Sequence, residues 1–416
     1  MALNHAPVAA VIIMAAGEGK RMRSSKPKVL HTLAGRSMIA HAVTVASALT
    51  PEKLVVVLGH QREIIAGHLA DVAPEITIAV QDQPLGTGDA VRSGLIPLGE
   101  LYGEVVVTSG DVPLLSAETL QDLVSIHREG GNTATVLTTV VPDPTGYGRV
   151  IRDGDLVLRI VEQRDATDEE QAISEINSGI YVFDATALRA AISGLTAQND
   201  QGELYLTDAV ALINAAGGRV GAALLGDYEQ LEGVNDREQL AIRNAELNRR
   251  ILRKWMLAGV TIADPSSTWV HADVELAQDV TLLPGTSLEG ATTVATGAVI
   301  GPDTTLIDVE VGEGAKVVRS HALLAIIEAE ANVGPFSFLR PGTVVGVGGK
   351  VGAFVETKNA QIGAGSKVPH LTYCGDAVIG EGVNIGAGTI FANYDGVGKY
   401  QVKVGDQSFV GSDSVL

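Results

Sequence analysis

The chain has 416 residues, enough for two or three domains with sizeable cores. Its net charge of −19 and its acidic pI repel nucleic acid and anionic membrane, so any phosphate site has to be a local basic island. A single cysteine, Cys374, excludes an intramolecular disulfide framework and suits a reducing cytoplasm; the opening MALNHAP lacks the charged region of a signal peptide, and no apolar run is long enough to span a bilayer.

Val8–Ala15 is a continuous apolar run of the buried-strand type. Ala16-Gly17-Glu18-Gly19 then demands a tight turn, and the cations Lys20, Arg21, Arg23, Lys26 and Lys28 follow within a few residues. A strand, a glycine turn with exposed N–H groups and converging cations make a phosphate cradle. It is not a Walker A loop, because Met14 stands at the first glycine position and Arg21 at the Ser/Thr position. A Rossmann fingerprint fails as well, since Met22 replaces its third glycine. What remains is A-A-G-x-G-x-R-M followed by P-K-V-L.

Further strand-like runs are Leu54–Leu58, Ile76–Val80, Val105–Ser109, Ala134–Val140 and Gly179–Phe183, with helical stretches such as Met38–Ala48 and Ala117–Arg128 between them. This alternation predicts a doubly wound, Rossmann-like α/β domain over residues 1–235, whose ligands sit beyond the C-terminal strand ends. From Asp236 to Ala258 there is no Pro or Gly, and Leu240, Leu247, Ile251 and Trp255 recur at near-helical spacing. That spacing predicts a linker helix, ended by Gly259, within residues 236–263.

The texture changes after Pro265. Val270, Leu276, Leu282, Leu288, Val294, Ile300 and Leu306 fall six residues apart. After a slip of phase, Val333, Leu339, Val345 and Val351 resume the period, followed by Ile362, Val368 and Cys374, then Ile379, Ile385 and Phe391, then Val404, Val410 and Leu416. A sustained hexapeptide period predicts a parallel β-helix over residues 264–416, with each aliphatic pointing inward; Cys374 falls on an inward position and reads as core.

Several segments of the first half carry chemistry in a particular order: Gln81-Asp82-Gln83-Pro84-Leu85-Gly86-Thr87-Gly88, Ser109-Gly110-Asp111-Val112-Pro113-Leu114, Gly146-Tyr147-Gly148-Arg149, Ile160-Val161-Glu162-Gln163, Glu175-Ile176-Asn177-Ser178-Gly179 and Gly233-Val234-Asn235. With the glycine turn and the hexapeptides, the order resembles bacterial bifunctional N-acetylglucosamine-1-phosphate uridylyltransferase/glucosamine-1-phosphate acetyltransferases, over essentially the whole chain. The resemblance implies the left-handed form of the β-helix, whose hand the period itself does not give. It assigns uridine and phosphate contacts to Met14, Ala15, Gly17, Lys28, Gln81, Gly86 and Thr87, and places Arg21 on the triphosphate. Gly148, Glu162 and Asn177 would hold N-acetylglucosamine-1-phosphate, while Asp111 and Asn235 would bind Mg²⁺. Those residue types suit the reaction: Mg²⁺ takes hard oxygen ligands, and a sugar phosphate ionised at neutral pH needs no general base. Catalysis then rests on positioning and charge neutralisation by Lys28, Arg21 and the metal. Asp111 has a second reading as a helix N-cap before Leu114, and Glu162 as an edge-strand charge. Lys20 stands where many relatives have Thr, adding charge near the triphosphate, and Asp236 where many have Asn.

In the repeats, charged and aromatic residues concentrate at Phe338–Gly342, Val355–Asn359, Lys367–Tyr373, Asn384–Gly386 and Ala392–Gly396. The resemblance makes His370 the general base toward the glucosamine amine, a role suited to imidazole, with Glu356 to orient it. Arg340, Lys358 and Tyr373 would hold the sugar phosphate, Asn384 the sugar, with Asn393 and Tyr394 close by and Ser412 on acetyl-CoA. The substrates implied are UTP, N-acetylglucosamine-1-phosphate, glucosamine-1-phosphate and acetyl-CoA, and the implied assembly is a cytoplasmic homotrimer. Two alternatives remain: a uridylyltransferase whose β-helix only trimerises, and a non-catalytic nucleotide-sugar sensor, against which the intact Lys28/Asp111/Asn235 set counts. Because Leu416 falls on an inward position, with no polar cap after it, the expectation is a truncated form, natural or engineered, that keeps uridylyl transfer and acetylates poorly.

Overall fold

A computed structural model describes residues 7–416; the first six residues, most of the MALNHAP stretch, lie outside the described part. The chain divides into two compact units, Met1–Arg243 and Asn244–Leu416.

The first unit is built on a nine-stranded mixed sheet. Its order is Thr77–Val80, Lys53–Leu58, Ala10–Ala15, Glu104–Ser109, Glu175–Asp184, Ala134–Val140, Val220–Leu225, Leu156–Val161, Arg149–Asp153. The first four run parallel, so their C-terminal ends share one edge. Strand alternation sorts the apolar run after Val8 between two cores: Ala10 and Ile12 join one face, Val11 and Ile13 the other. Helices Met38–Ser47 and Ala117–Glu129 are started by Ser37 and Ser116, whose hydroxyls accept the Ala40 and Thr119 N–H groups at 3.2 and 3.1 Å. Asp111 is therefore not the cap of the second helix.

Helix Arg237–Leu257 is started by Asp236, whose carboxylate accepts the Gln239 N–H (2.8 Å), and is followed by Gly259 at φ +97°. The expected stripe of Leu240, Leu247, Ile251 and Trp255 is only half-buried; Asn248 and Leu252 are the buried positions. Asn248 escapes an apolar period because it is polar, yet its amide donates to Thr268 O (2.9 Å) and accepts from Val270 N (3.0 Å). A side chain thus satisfies backbone groups at the first coil that would otherwise be buried without partners.

The second unit is the left-handed parallel β-helix, its coils stacked as sheets of nine, seven and eight short parallel strands. Register is one residue per coil: Leu282 pairs with Ile300, Ile300 with Val317, Val317 with Val333, Val333 with Val351 and Val351 with Val368. The inward aliphatics from Val270 to Phe391 are buried in one continuous core, with Cys374 among them, its thiol pushed up to about 12 by burial. The slip of phase after Leu306 is carried by Val311, Val317, Ala322 and Ile327, inward residues spaced by five as well as six. A corner residue in the left-handed region, such as Asp308 or Leu324, closes the shorter turns. Val404 and Val410 are only partly buried against this core, and Leu416 is 36% exposed.

Candidate active sites

At the shared strand edge the chain leaves Ala15 for the turn Ala16–Gly19. Ala15 is buried, Met14 half-buried, Gly17 exposed, and Met14 O accepts the Gly110 N–H (2.9 Å), which joins this strand end to the next. Gly19 has φ +64°, and a Cβ there would lie 2.5 Å from the Lys28 Cβ, so the glycine lets the turn close onto the lysine. Arg21 is exposed on the short helix Lys20–Met22. Lys20 is exposed too and paired with Glu18, so its charge is partly neutralised before any phosphate arrives.

Lys28 is the best-held cation of the cradle. Pro27 delivers it to a short helix, its side chain is 11% exposed, and Nζ donates to Asp111 Oδ2 (2.6 Å) and Asn235 Oδ1 (2.9 Å). Ser109 donates to Asp111 Oδ1 (2.6 Å), Asp111 O accepts from Val234 N (2.9 Å), and Asn235 N donates to Gln239 Oε1 (2.8 Å). A carboxylate and an amide oxygen therefore converge on one cation. Among the described residues no group of three His, Cys, Asp or Glu side chains could hold a metal alone. Two hard oxygens fit Mg²⁺, which keeps waters and substrate phosphates in its shell.

Beside this, Gln81 is buried at the end of its strand, its amide donating to Gly86 O (3.1 Å) and Asp89 Oδ2 (2.8 Å). Because Asp89 only accepts, Gln81 Oε1 is left for a ligand. Gly86 has φ +108°, and a Cβ there would meet Leu204 O at 2.6 Å. Thr87 Oγ1 accepts from Leu206 N (3.0 Å), and Thr207 donates to Glu162 Oε1 (3.1 Å). The segment Glu203–Thr207 thus straps the Gln81 loop to Glu162. Burial raises the Glu162 carboxyl above its ordinary value, against the Thr207 bond, which lowers it. Gly148 is buried, with Glu162 next to its Cα, and its carbonyl accepts from Asn177 N (2.9 Å); the Asn177 side chain accepts from Gly179 N (3.1 Å). Buried Arg149 and half-buried Gln163 hold the glycine loop between them.

On the β-helix, Arg340 and Lys358 follow inward residues of successive coils, Glu356 pairs in register with Tyr373, and Lys358 with Gly375. Glu356 accepts from Arg340 (2.9 Å) and not from His370, which is exposed and has no side-chain hydrogen bond among the described residues. Tyr373 is half-buried and its phenol lies over the Gly375 Cα, where a Cβ would collide with it. Asn384 is half-buried, Asn393 buried, Tyr394 exposed with its hydroxyl on Gly396 O (2.7 Å), and Ser412 exposed. Sequence reasoning missed Ser109, Thr207 and Asp376. Asp376 accepts from Lys358 (3.3 Å), Asn359 (3.0 Å) and Asn393.

The nucleotidyl transferase family matches residues 10–256. A Kineococcus radiotolerans protein named bifunctional protein GlmU is 58% identical over 416 residues, all of this chain and 85% of the relative. Proteins of the same name from Pseudarthrobacter chlorophenolicus and Cutibacterium acnes are each 54% identical, covering 98% and 92% of this chain and 84% and 94% of their own. Identity of that depth across a nucleotidyltransferase sheet and a hexapeptide β-helix leaves one grouping: the chain belongs to the nucleotidyl transferase family and, within it, to the bifunctional GlmU uridylyltransferase/acetyltransferases.

Proposed function

We propose that the β-helix transfers the acetyl group of acetyl-CoA to glucosamine-1-phosphate, and that the α/β unit then joins N-acetylglucosamine-1-phosphate to the UMP part of UTP with release of pyrophosphate. The observation that carries the second step is the convergence of Lys28, Asp111 and Asn235 on one point at the edge of the parallel strands. Asp111 and Asn235 would hold Mg²⁺, whose chemistry when bound is neutralisation of charge on the triphosphate. Lys28 would turn from Asp111 to the α-phosphate and stabilise charge there, with Arg21 toward the leaving phosphates. Gln81 Oε1 would accept the N–H of the base, beside Gly86 and Thr87; Met14, Ala15 and Gly17 would line the nucleotide with backbone groups. Gly148, Glu162 and Asn177 would orient the sugar phosphate for in-line attack.

For acetyl transfer, His370 would take the proton of the glucosamine amine. Arg340, Lys358 and Tyr373 would hold the phosphate, Asn384, Asn393 and Tyr394 the sugar and its approach, and Ser412 the thioester cofactor. The proposed setting is a cytoplasmic homotrimer; the stacked and exposed Phe336 and Phe354 (5.4 Å) give a neighbour apolar surface to cover. Among the described residues no helix is long and apolar enough to cross a membrane. Two assays test the reading: pyrophosphate release from UTP and N-acetylglucosamine-1-phosphate with Mg²⁺, and thiol release from acetyl-CoA with glucosamine-1-phosphate. His370→Ala should abolish only the second. Loss of both in that variant would show that His370 is structural.

A further inference from the structure

At one edge of the β-helix the corner residues Asp308, Leu324, Gly342, Asn359 and Asp376 all take the left-handed backbone. Acids at the coil turns differ in what they serve: Asp303 accepts from the Arg319 side chain (2.6 Å), whereas others serve the backbone. Asp308 accepts from Ala291 N (2.8 Å), and Asp406, at another edge, accepts from Glu381 N (2.9 Å). Asp376 does not. Its Oδ1 accepts from the Asn359 amide and its Oδ2 from the Lys358 ammonium and the Asn393 amide, groups on the coils before and after its own. The carboxylate is 15% exposed and Lys358 25%, so the contact is partly shielded from water.

We propose that Asp376 is a positioning residue for glucosamine-1-phosphate, holding Lys358 and Asn393 in place from between their coils. The inference rests on reading this cluster as the acetyl-transfer site. A free lysine has four rotatable bonds, and fixing them beforehand removes an entropic cost from ligand binding. One ammonium N–H points at Asp376 and two remain for a phosphate. The acceptor-only carboxylate also fixes which end of Asn393 faces it, leaving Asn393 Oδ1 for an amine or hydroxyl of the sugar. Repulsion between the carboxylate and an incoming phosphate acts the other way, so the sign of the effect decides the matter.

Asp376→Gly removes the carboxylate and suits the left-handed corner, as Gly342 does in the same column. Calorimetric titration with glucosamine-1-phosphate should show affinity falling about tenfold in this variant, as for loss of a charge-assisted hydrogen bond. Asp376→Asn, which keeps an acceptor and the backbone preference, should retain part of the affinity. In the Lys358→Ala background, Asp376→Gly should cost less than about twofold, because its partner is already gone. Uridylyl transfer should be unchanged in every variant, which reports an intact protein. Equal or tighter binding by Asp376→Gly, or full additivity with Lys358→Ala, would overturn the inference and leave the acetyl-site reading standing. No binding by the parent protein would overturn both.

Discussion

The Lys28 ammonium sits 2.6 Å from Asp111 Oδ2, where a divalent cation would be held. The lysine neutralises the carboxylate, and on the proposed reading it would release it to turn toward the substrate phosphates. Lys28→Ala should cut uridylyl transfer by about 3 kcal/mol of transition-state stabilisation, more than a hundredfold. Its effect on melting should be small, because Asp111 is 27% exposed and water can solvate the freed carboxylate. Pyrophosphate release near the parent rate would rule out Lys28 as a charge contact.

Asp111→Ala tests the other partner. The amide oxygen of Asn235 is a poor sole ligand, so saturating Mg²⁺ should not restore the rate. Manganese titration followed by magnetic resonance, with nucleotide present, should show weakened binding of the metal. Unchanged metal affinity would remove Asp111 from the ligand set.

Glu162 gives a pH-dependent prediction. Burial, opposed by the Thr207 bond, raises its folded-state pKa above the unfolded value. Its contribution to stability is then fully present below the unfolded carboxyl range and is lost as pH rises through the folded pKa. At neutral pH the buried carboxyl is therefore a net cost relative to the unfolded chain. Glu162→Gln should therefore melt higher than the parent at pH 7, with the difference vanishing toward pH 4, while its KM for N-acetylglucosamine-1-phosphate rises. A lower melting temperature at pH 7 would show that the Thr207 bond outweighs desolvation.

Much of this arrangement was legible in the chain because the signals are local. Gly19, Gly86 and the Ser109-Gly110-Asp111 step mark the parallel strand ends, and the hexapeptide aliphatics mark the inside of each coil. Strands Arg149–Asp153 and Leu156–Val161 were missed because their charged residues mask the alternation; the positive-φ Gly154 between them was the available turn signal. Val220–Leu225 was missed because its small residues have weak strand preference. The contacts of Thr207 with Glu162 and of Asp376 with Lys358 depend on long-range register, which no local pattern carries. Glu356 likewise does not meet His370: coil register sets it between Phe338 and Tyr373, and its carboxylate accepts from Arg340.

Gly375 yields the last prediction. It pairs with Lys358 in the coil before it, and the Tyr373 phenol folds over its Cα. A methyl group there would strike the far end of the tyrosine and not the backbone, and Gly375 is absent from the positive-φ glycines. The tyrosine can swing outward to relieve the clash, so Gly375→Ala should cost little stability, about 1 kcal/mol or less. What it should lose is the phenol's place over the Gly375 Cα. Acetyl transfer should fall at least tenfold, mainly through KM for glucosamine-1-phosphate, an effect worth about 1.4 kcal/mol. Uridylyl transfer should be untouched, because the α/β unit has its own cores. Adding Tyr373→Phe to Gly375→Ala separates two causes: if the displaced hydroxyl is what matters, the second substitution adds nothing. An unchanged KM in Gly375→Ala would mean that Tyr373 takes no part in holding the sugar phosphate.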